Sequence, residues 1–244
     1  MRRAFPSAAV ALLAALAAAA CSPAKAPNRV VVATEAQYPP FEYVEKDGTI
    51  AGFDIDLVRA ACRESGLEAE FVNQPFGGII PGLQGGKYDA AVSAMTITEE
   101  RARVVAFSDP YYEAGLVIAV RADEAGIAGL ADLEGRTLAV QMNTTGHMEA
   151  EKVKGATIRT YDSIEPAFME LLQKRADAVI NDDASTAAYL KVHGGLKTVG
   201  GLLSSESYGI AVRKDAPDIL RKINEGLAKV RASGEYDRLR KKWF

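Results

Sequence analysis

Residues 93–101 read SAMTITEER, two threonines one residue apart followed by two glutamates and an arginine. Thr98 has the character of a helix N-cap, because its hydroxyl can accept a hydrogen bond from a backbone N–H two or three residues on. Arg101 then falls in the first helical turn, where the positive end of the peptide dipoles disfavours a cation. An anion held at the helix start accounts for it, since a guanidinium offers a planar fork that matches a carboxylate. The competing reading pairs Arg101 with Glu99 or Glu100 on the surface.

Other reactive groups are sparse. His147 and His193 are the only histidines and lie on separate segments. H-E-x-x-H, G-x-S-x-G and C-x-x-C are absent, and the glycine-rich PGLQGGKY fails as a phosphate loop because Pro81 and Tyr88 stand at its diagnostic positions. No metal, cofactor or catalytic constellation is expected. His193, beside two glycines, reads as a cation at a helix C-terminus.

The chain of 244 residues carries 29 basic and 32 acidic groups. Arg2 and Arg3 followed by the apolar run 8–20 read as a signal peptide, too short to span a bilayer. Without those two arginines the balance is 27 basic to 32 acidic, a mildly acidic protein with no footprint for nucleic acid. Cys21 follows the apolar run directly, and 21–27 read as a tether. LAAAAC is similar to a bacterial lipobox, so Cys21 is a lipidation candidate; plain cleavage at an Ala-x-Ala site is the other reading. Cys62, in a helical apolar context, reads as a buried small hydrophobe.

From residue 29 strand and helix patterns alternate. Strands are predicted over 29–34, 69–73, 88–94, 116–120, 136–140, 155–161, 176–181 and 208–212. Helices are predicted over 53–66, 79–87, 129–135, 163–175, 184–195, 216–234 and 235–244. The βαβαβ order implies parallel sheets with helices on their faces, in two α/β units of about 90 residues each.

The stretches VVATEAQYPPFEY, GFDIDL, GGIIPGLQGGKYDAAVSAMTITEER, FSDPYY, GLADLEGRTLAVQMNTTG, RADAVINDD, YGIAVRKD and the terminal KKWF occur in register across residues 28–244. Together the chain resembles the extracytoplasmic solute-binding proteins of bacterial polar amino-acid ABC importers. The resemblance implies two α/β lobes joined by two hinge strands, the type II binding-protein fold, with one ligand in the cleft. Lobe 1 is expected over 28–113 and 208–244, lobe 2 over 114–207, with crossings near Glu113–Leu116 and Glu206–Gly209.

By this resemblance Arg101 grips the carboxylate of a free L-amino acid, helped by the N–H and hydroxyl of Thr96 and by Thr145 at a second helix start. Ala94 contributes backbone near the ammonium, and Asp182 is its counter-ion, while Asp183 caps the following helix. Tyr38 and Phe76 flank the ligand side chain, Gln141 reaches it, and Glu35 faces it. Asn143 stands where relatives often carry glycine, and is the residue that best tolerates positive φ there. His147 follows this loop. An unpaired buried carboxylate is costly, so Glu35 predicts a basic ligand: arginine, then lysine or histidine, with glutamine the neutral rival.

The function implied is extracytoplasmic capture of a polar amino acid by a monomer that docks on a membrane permease, with membrane contact only through a possible lipid at Cys21. Periplasmic dehydratases acting on prephenate-like acids share the fold, and Glu35 and Asp182 would repel such a dianion. A receptor-linked sensor is the third class, and no membrane or signalling segment follows Phe244.

Overall fold

The computed structural model describes residues 28–244. The leader 1–20, the tether 21–27 and Cys21 lie outside the described residues.

Val30 to Ala33 show why the first strand forms. In Arg29–Thr34, β-branched residues suit a pleated backbone, and alternate side chains face opposite ways. Val30 and Val32 pack with Leu57, Val58 and Leu227 on one face; Ala33 packs with Ile79, Leu83 and Met95 on the other. Both faces are covered, as a largely parallel sheet requires.

Two five-stranded sheets organise the chain. The first runs Glu68–Asn73, Arg29–Thr34, Ala90–Ala91, Ala211–Val212, Ala106–Phe107; the second runs Thr157–Tyr161, Thr137–Gln141, Ala178–Asp182, Leu116–Arg121, Leu196–Val199. Tyr112–Ala114 and Glu206–Tyr208 pair antiparallel, with Ser207 opposite Glu113, and carry the chain out of the first sheet and back. The expected arrangement of two α/β lobes joined by two hinge strands is therefore present.

The sheets are mixed, not wholly parallel. Leu116–Arg121 runs antiparallel to both its neighbours, and Ala211–Val212 runs antiparallel to Ala90–Ala91. These strands enter directly from the hinges, without a crossover helix, so nothing forces them parallel. The strand expected over 88–94 is confined to Ala90–Ala91 because the backbone turns through Ala94, whose φ is 42°. The single strand expected over 208–212 is two, Glu206–Tyr208 in the hinge and Ala211–Val212 in the sheet. Residues 129–135 form a short 3-10 turn, Leu130–Leu133. The small strands Gln37–Tyr38, Glu42–Val44 and Ile50–Ala51, a meander beside the cleft, carry no clear period in the sequence.

Helix Phe53–Glu64 buries Phe53, Leu57, Val58 and Ala61 against helix Pro217–Ala232. Gly226 permits this approach: a Cβ there would lie 2.0 Å from the Ala61 carbonyl oxygen. Phe41, Tyr112, Tyr208 and the terminal Phe244 cluster at the hinge, with Tyr112 stacked 5.7 Å from Tyr208 and 5.0 Å from Phe244. Cys62 is buried in the first lobe's core, and burial pushes its thiol up to about 12, leaving it unreactive.

Candidate functional site

Thr98 caps helix Glu99–Ala102, its hydroxyl accepting from the Arg101 N–H at 3.2 Å. The helix is a single turn, too short to build a dipole that would explain the cation. What places Arg101 is its side chain. It is buried, donates through Nη1 to the Thr96 carbonyl at 2.8 Å and through Nη2 to the Asn143 carbonyl at 3.0 Å, and lies over Phe76 at 5.4 Å from the ring centre. Neither Glu99 nor Glu100 hydrogen-bonds it. Burial works against its charge, and the fields of Asp182 and Glu206 support it.

Asn143 belongs to the opposite lobe, in the loop between strand Thr137–Gln141 and helix Thr145–Ala150. Its φ is 64°, the left-handed region that asparagine tolerates. Gly146 sets this helix hard on strand Ala178–Asp182: a Cβ would meet the Ile180 carbonyl oxygen at 2.6 Å. Thr144 caps the helix by accepting from the His147 N–H, and His147 turns Nδ1 to the Asn143 N–H at 3.4 Å. His147 thus braces the loop. His193 sits at the C-terminal cap of helix Asp183–Val192, stacked on Tyr189.

Asp182 ends its strand, buried, with two phenols on one carboxylate oxygen. Tyr38 lies 2.8 Å from Oδ2 and Tyr208 2.6 Å. The Tyr38 hydroxyl is equally near Asn181 Oδ1, but it has one proton, and the carboxylate is the stronger acceptor. Burial raises the Asp182 carboxyl to about 6, with the phenols opposing. Tyr38 therefore holds the acid as well as lining the cleft, a role the sequence reading lacked. Asp182, not Asp183, occupies the helix cap position, and its side chain makes no capping bond. Asp183 lies in the first turn instead, because the strand runs on through Asp182.

At another part of the cleft Glu35 accepts from Gln141 Nε2 at 3.0 Å, and Gln141 also donates to the Asp162 carbonyl. Glu35 is 3% exposed; burial pushes its carboxyl up to about 7, opposed by the Gln141 hydrogen bond. Ala94 spends its N–H on Asp54 Oδ2 at 2.8 Å, leaving its carbonyl as the backbone group available to an ammonium.

Glu35, Tyr38, Phe76, Ala94, Thr96, Arg101, Gln141, Thr145 and Asp182 all line one cleft, joined by Ser93 and Thr144. The sequence reading missed those two. It also missed the buried acids beneath them. Asp54 accepts from Tyr111 at 2.6 Å as well as from Ala94, and Glu42 accepts from Ser93 at 3.3 Å. Burial and the neighbouring Asp54 hold Glu42 well above the usual carboxylate range. PPFEY and GFDIDL contained both residues, but an acid inside an apolar period gives no sign that it is paired.

The Thr96 hydroxyl, expected on a ligand carboxylate, and the Thr145 hydroxyl both point to Glu206 Oε2, at 2.6 and 3.0 Å. Among the described residues no group of three or more metal-ligating side chains occurs, and no helix is long and apolar enough to cross a membrane.

One cleft thus offers a buried guanidinium and two buried carboxyl groups with raised pKa values. That pattern suits a small zwitterion better than a hydrophobic guest. The chain is 36% identical over 240 residues to ABC transporter arginine-binding protein 1 of Escherichia coli K12, covering 96% of this chain and 98% of that one. It is similar in structure to an ancestral arginine-binding protein bound to arginine, with a TM-score of 0.86 and 43% identity over 89% of this chain and 98% of that one. An ancestral amino acid-binding protein, a precursor of cyclohexadienyl dehydratase, superposes with a TM-score of 0.83 and 40% identity over 89% and 96% of the two chains. Residues 30–244 match the bacterial extracellular solute-binding proteins, family 3, and the chain belongs to that family.

Proposed function

We propose that the protein binds a basic L-amino acid, arginine first, outside the cytoplasm and delivers it as a monomer to an ABC-transporter permease. The observation that carries this reading is the charge order of the cleft. Arg101 stands ready for a carboxylate, Asp182 for an ammonium, and Glu35 for a cationic tail, all buried. Thr96 and Thr145 add backbone N–H groups to the carboxylate end, Phe76 and Tyr38 give apolar walls, and Gln141 orients Glu35. The relatives named above as arginine-binding proteins support the same ligand.

The lobes fall at 28–113 with 208–244 and at 114–207, in keeping with the sheet memberships. Lobe 1 captures the ligand, and lobe 2 closes over it by rotation at Tyr112–Ala114 and Glu206–Tyr208. Closure of this kind is a population shift, and requires tighter binding to the closed form. Export through the 1–20 leader belongs to the same reading, with Cys21 the candidate for a lipid and plain cleavage its alternative.

Binding without chemistry is favoured over a dehydratase. Glu35 and Asp182 would repel a dicarboxylate substrate, and His147 is spent on the Asn143 loop. Calorimetric titration with arginine, lysine, histidine, glutamine and prephenate tests the reading. Arginine should bind tightest; binding of prephenate alone would replace it.

A further inference from the structure

Glu206 lies outside the ligand cleft's lining, although its field reaches Arg101 and Asp182, and it stands where both lobes meet. It begins the returning hinge strand and pairs with Ala114 of the outgoing one. Its Oε2 accepts from Thr96 Oγ1 in the first lobe at 2.6 Å and from Thr145 Oγ1 in the second at 3.0 Å. Its Oε1 accepts from Ser204 Oγ at 3.0 Å, and Ser204 Oγ accepts in turn from the Leu116 N–H at 3.0 Å, just past the outgoing crossing. One carboxylate therefore ties both hinge crossings to one threonine from each lobe. Glu206 lines a second cleft with Thr98, Met148, Lys152 and Ser205 among others, and that cleft shares Thr96 and Thr145 with the ligand cleft.

From this geometry we infer that Glu206 is a latch: a positioning residue that holds the lobes closed by taking the hydroxyl protons of Thr96 and Thr145 together. A hydroxyl has a single proton. With both committed to Glu206, the ligand carboxylate is left to Arg101 and backbone N–H groups, and the threonines act on the ligand through their backbone and through closure. The two threonines come from different lobes, so rotation at the hinge separates them and one carboxylate no longer spans both. The bridge thus exists only in the closed form and favours it even without ligand. Hydrogen bonds to an ionised acceptor are the stronger kind, and linked ones reinforce each other.

The consequence is a tuned resting population. Apparent affinity scales with the fraction of molecules already competent to bind, so a latch raises affinity without touching the ligand and without preferring one ligand to another.

The test separates this inference from the functional reading on which its affinity arm rests. The interlobe distance of the ligand-free protein is measured by paired spin labels in wild type, Glu206→Ala and Glu206→Gln. The latch predicts a shift to longer distances in the alanine variant and a partial return in the glutamine variant, which keeps one acceptor oxygen. Calorimetry should then show arginine and glutamine weakened by the same factor, about tenfold. In a Thr96→Val, Thr145→Val background the added loss of Glu206 should cost less than about twofold, because the partners are already gone. Unchanged distances, a full additive loss in that background, or tighter binding in Glu206→Gln would each overturn the latch, the last because it would make the carboxylate a competitor of the ligand. If wild type binds no amino acid, the functional reading fails, and the spin-label distances still decide the latch.

Discussion

Gln141 donates a hydrogen bond to Glu35 over 3.0 Å, joining two buried side chains from opposite lobes. The amide steadies the acid but brings no charge, so an ionised Glu35 still lacks a counter-ion. A ligand cation would supply one. Replacing Glu35 with glutamine should weaken arginine by at least about tenfold and glutamine by less than about threefold, since only the former loses an ion pair in a desolvated site. Calorimetric titration of both ligands reads the difference; equal losses would remove Glu35 from ligand choice.

The raised carboxyl groups make binding depend on pH. Glu35 in the ligand-free protein is pushed up to about 7 and Asp182 to about 6. A bound cation favours the ionised form, so arginine must expel a proton from Glu35 below about pH 7. Its affinity should fall as the pH drops from 7 to 5, approaching tenfold per unit for each protonated group. Glutamine meets only Asp182, and its affinity should hold to about pH 6. Titration in buffers of different ionisation enthalpy counts the released protons directly.

The same shift has the opposite sign for stability without ligand. A carboxyl group whose folded pKa is raised stabilises most below the unfolded value, and that contribution is lost as the pH rises through the folded value. For Glu35 the loss runs up to about pH 7. Ligand-free Glu35→Gln should therefore melt above wild type at pH 8, the gap closing toward pH 5. Melting curves at the two pH values decide it.

Arg101→Ala should abolish tight binding of every amino acid, because it strands the ligand carboxylate in a closed cleft. Asp182→Asn should weaken binding by about 2 kcal/mol or more. Asparagine still offers an oxygen to Tyr38 and Tyr208, so this loss separates charge from packing. Near-normal affinity in either variant removes that residue from the site.

Burial and the neighbouring Asp54 push the fully buried Glu42 well above the usual carboxylate range, which favours its neutral form. Glu42→Gln mimics the neutral acid and should cost less than about 1 kcal/mol in urea unfolding. Asp54→Ala orphans the Ala94 N–H and the Tyr111 hydroxyl and should cost about 3 kcal/mol. The reverse order would mean that Glu42 carries the charge.

Much of this was legible before the fold was known, but unevenly. Helices Phe53–Glu64 and Pro217–Ala232 carry a clear apolar period, and their packing follows from it. The cleft residues came through resemblance, since nothing in the spacing of Glu35, Gln141 and Asp182 says that three distant segments meet. Tyr38 and Tyr208 as partners of Asp182 were hidden for the same reason. Glu206 was named only as the edge of a crossing, because a lone glutamate among serines gives no period, motif or charge run. Hydrogen bonds across a hinge depend on how two lobes face each other, which local sequence does not encode.

The most direct test of the central claim is the calorimetric titration of the protein with arginine and with glutamine at pH 7.5, side by side. Arginine should bind at one site per chain, and glutamine should bind much more weakly. Equal or tighter binding of glutamine would contradict the pairing of a cationic side chain with Glu35, and the absence of binding to any amino acid would contradict the function itself.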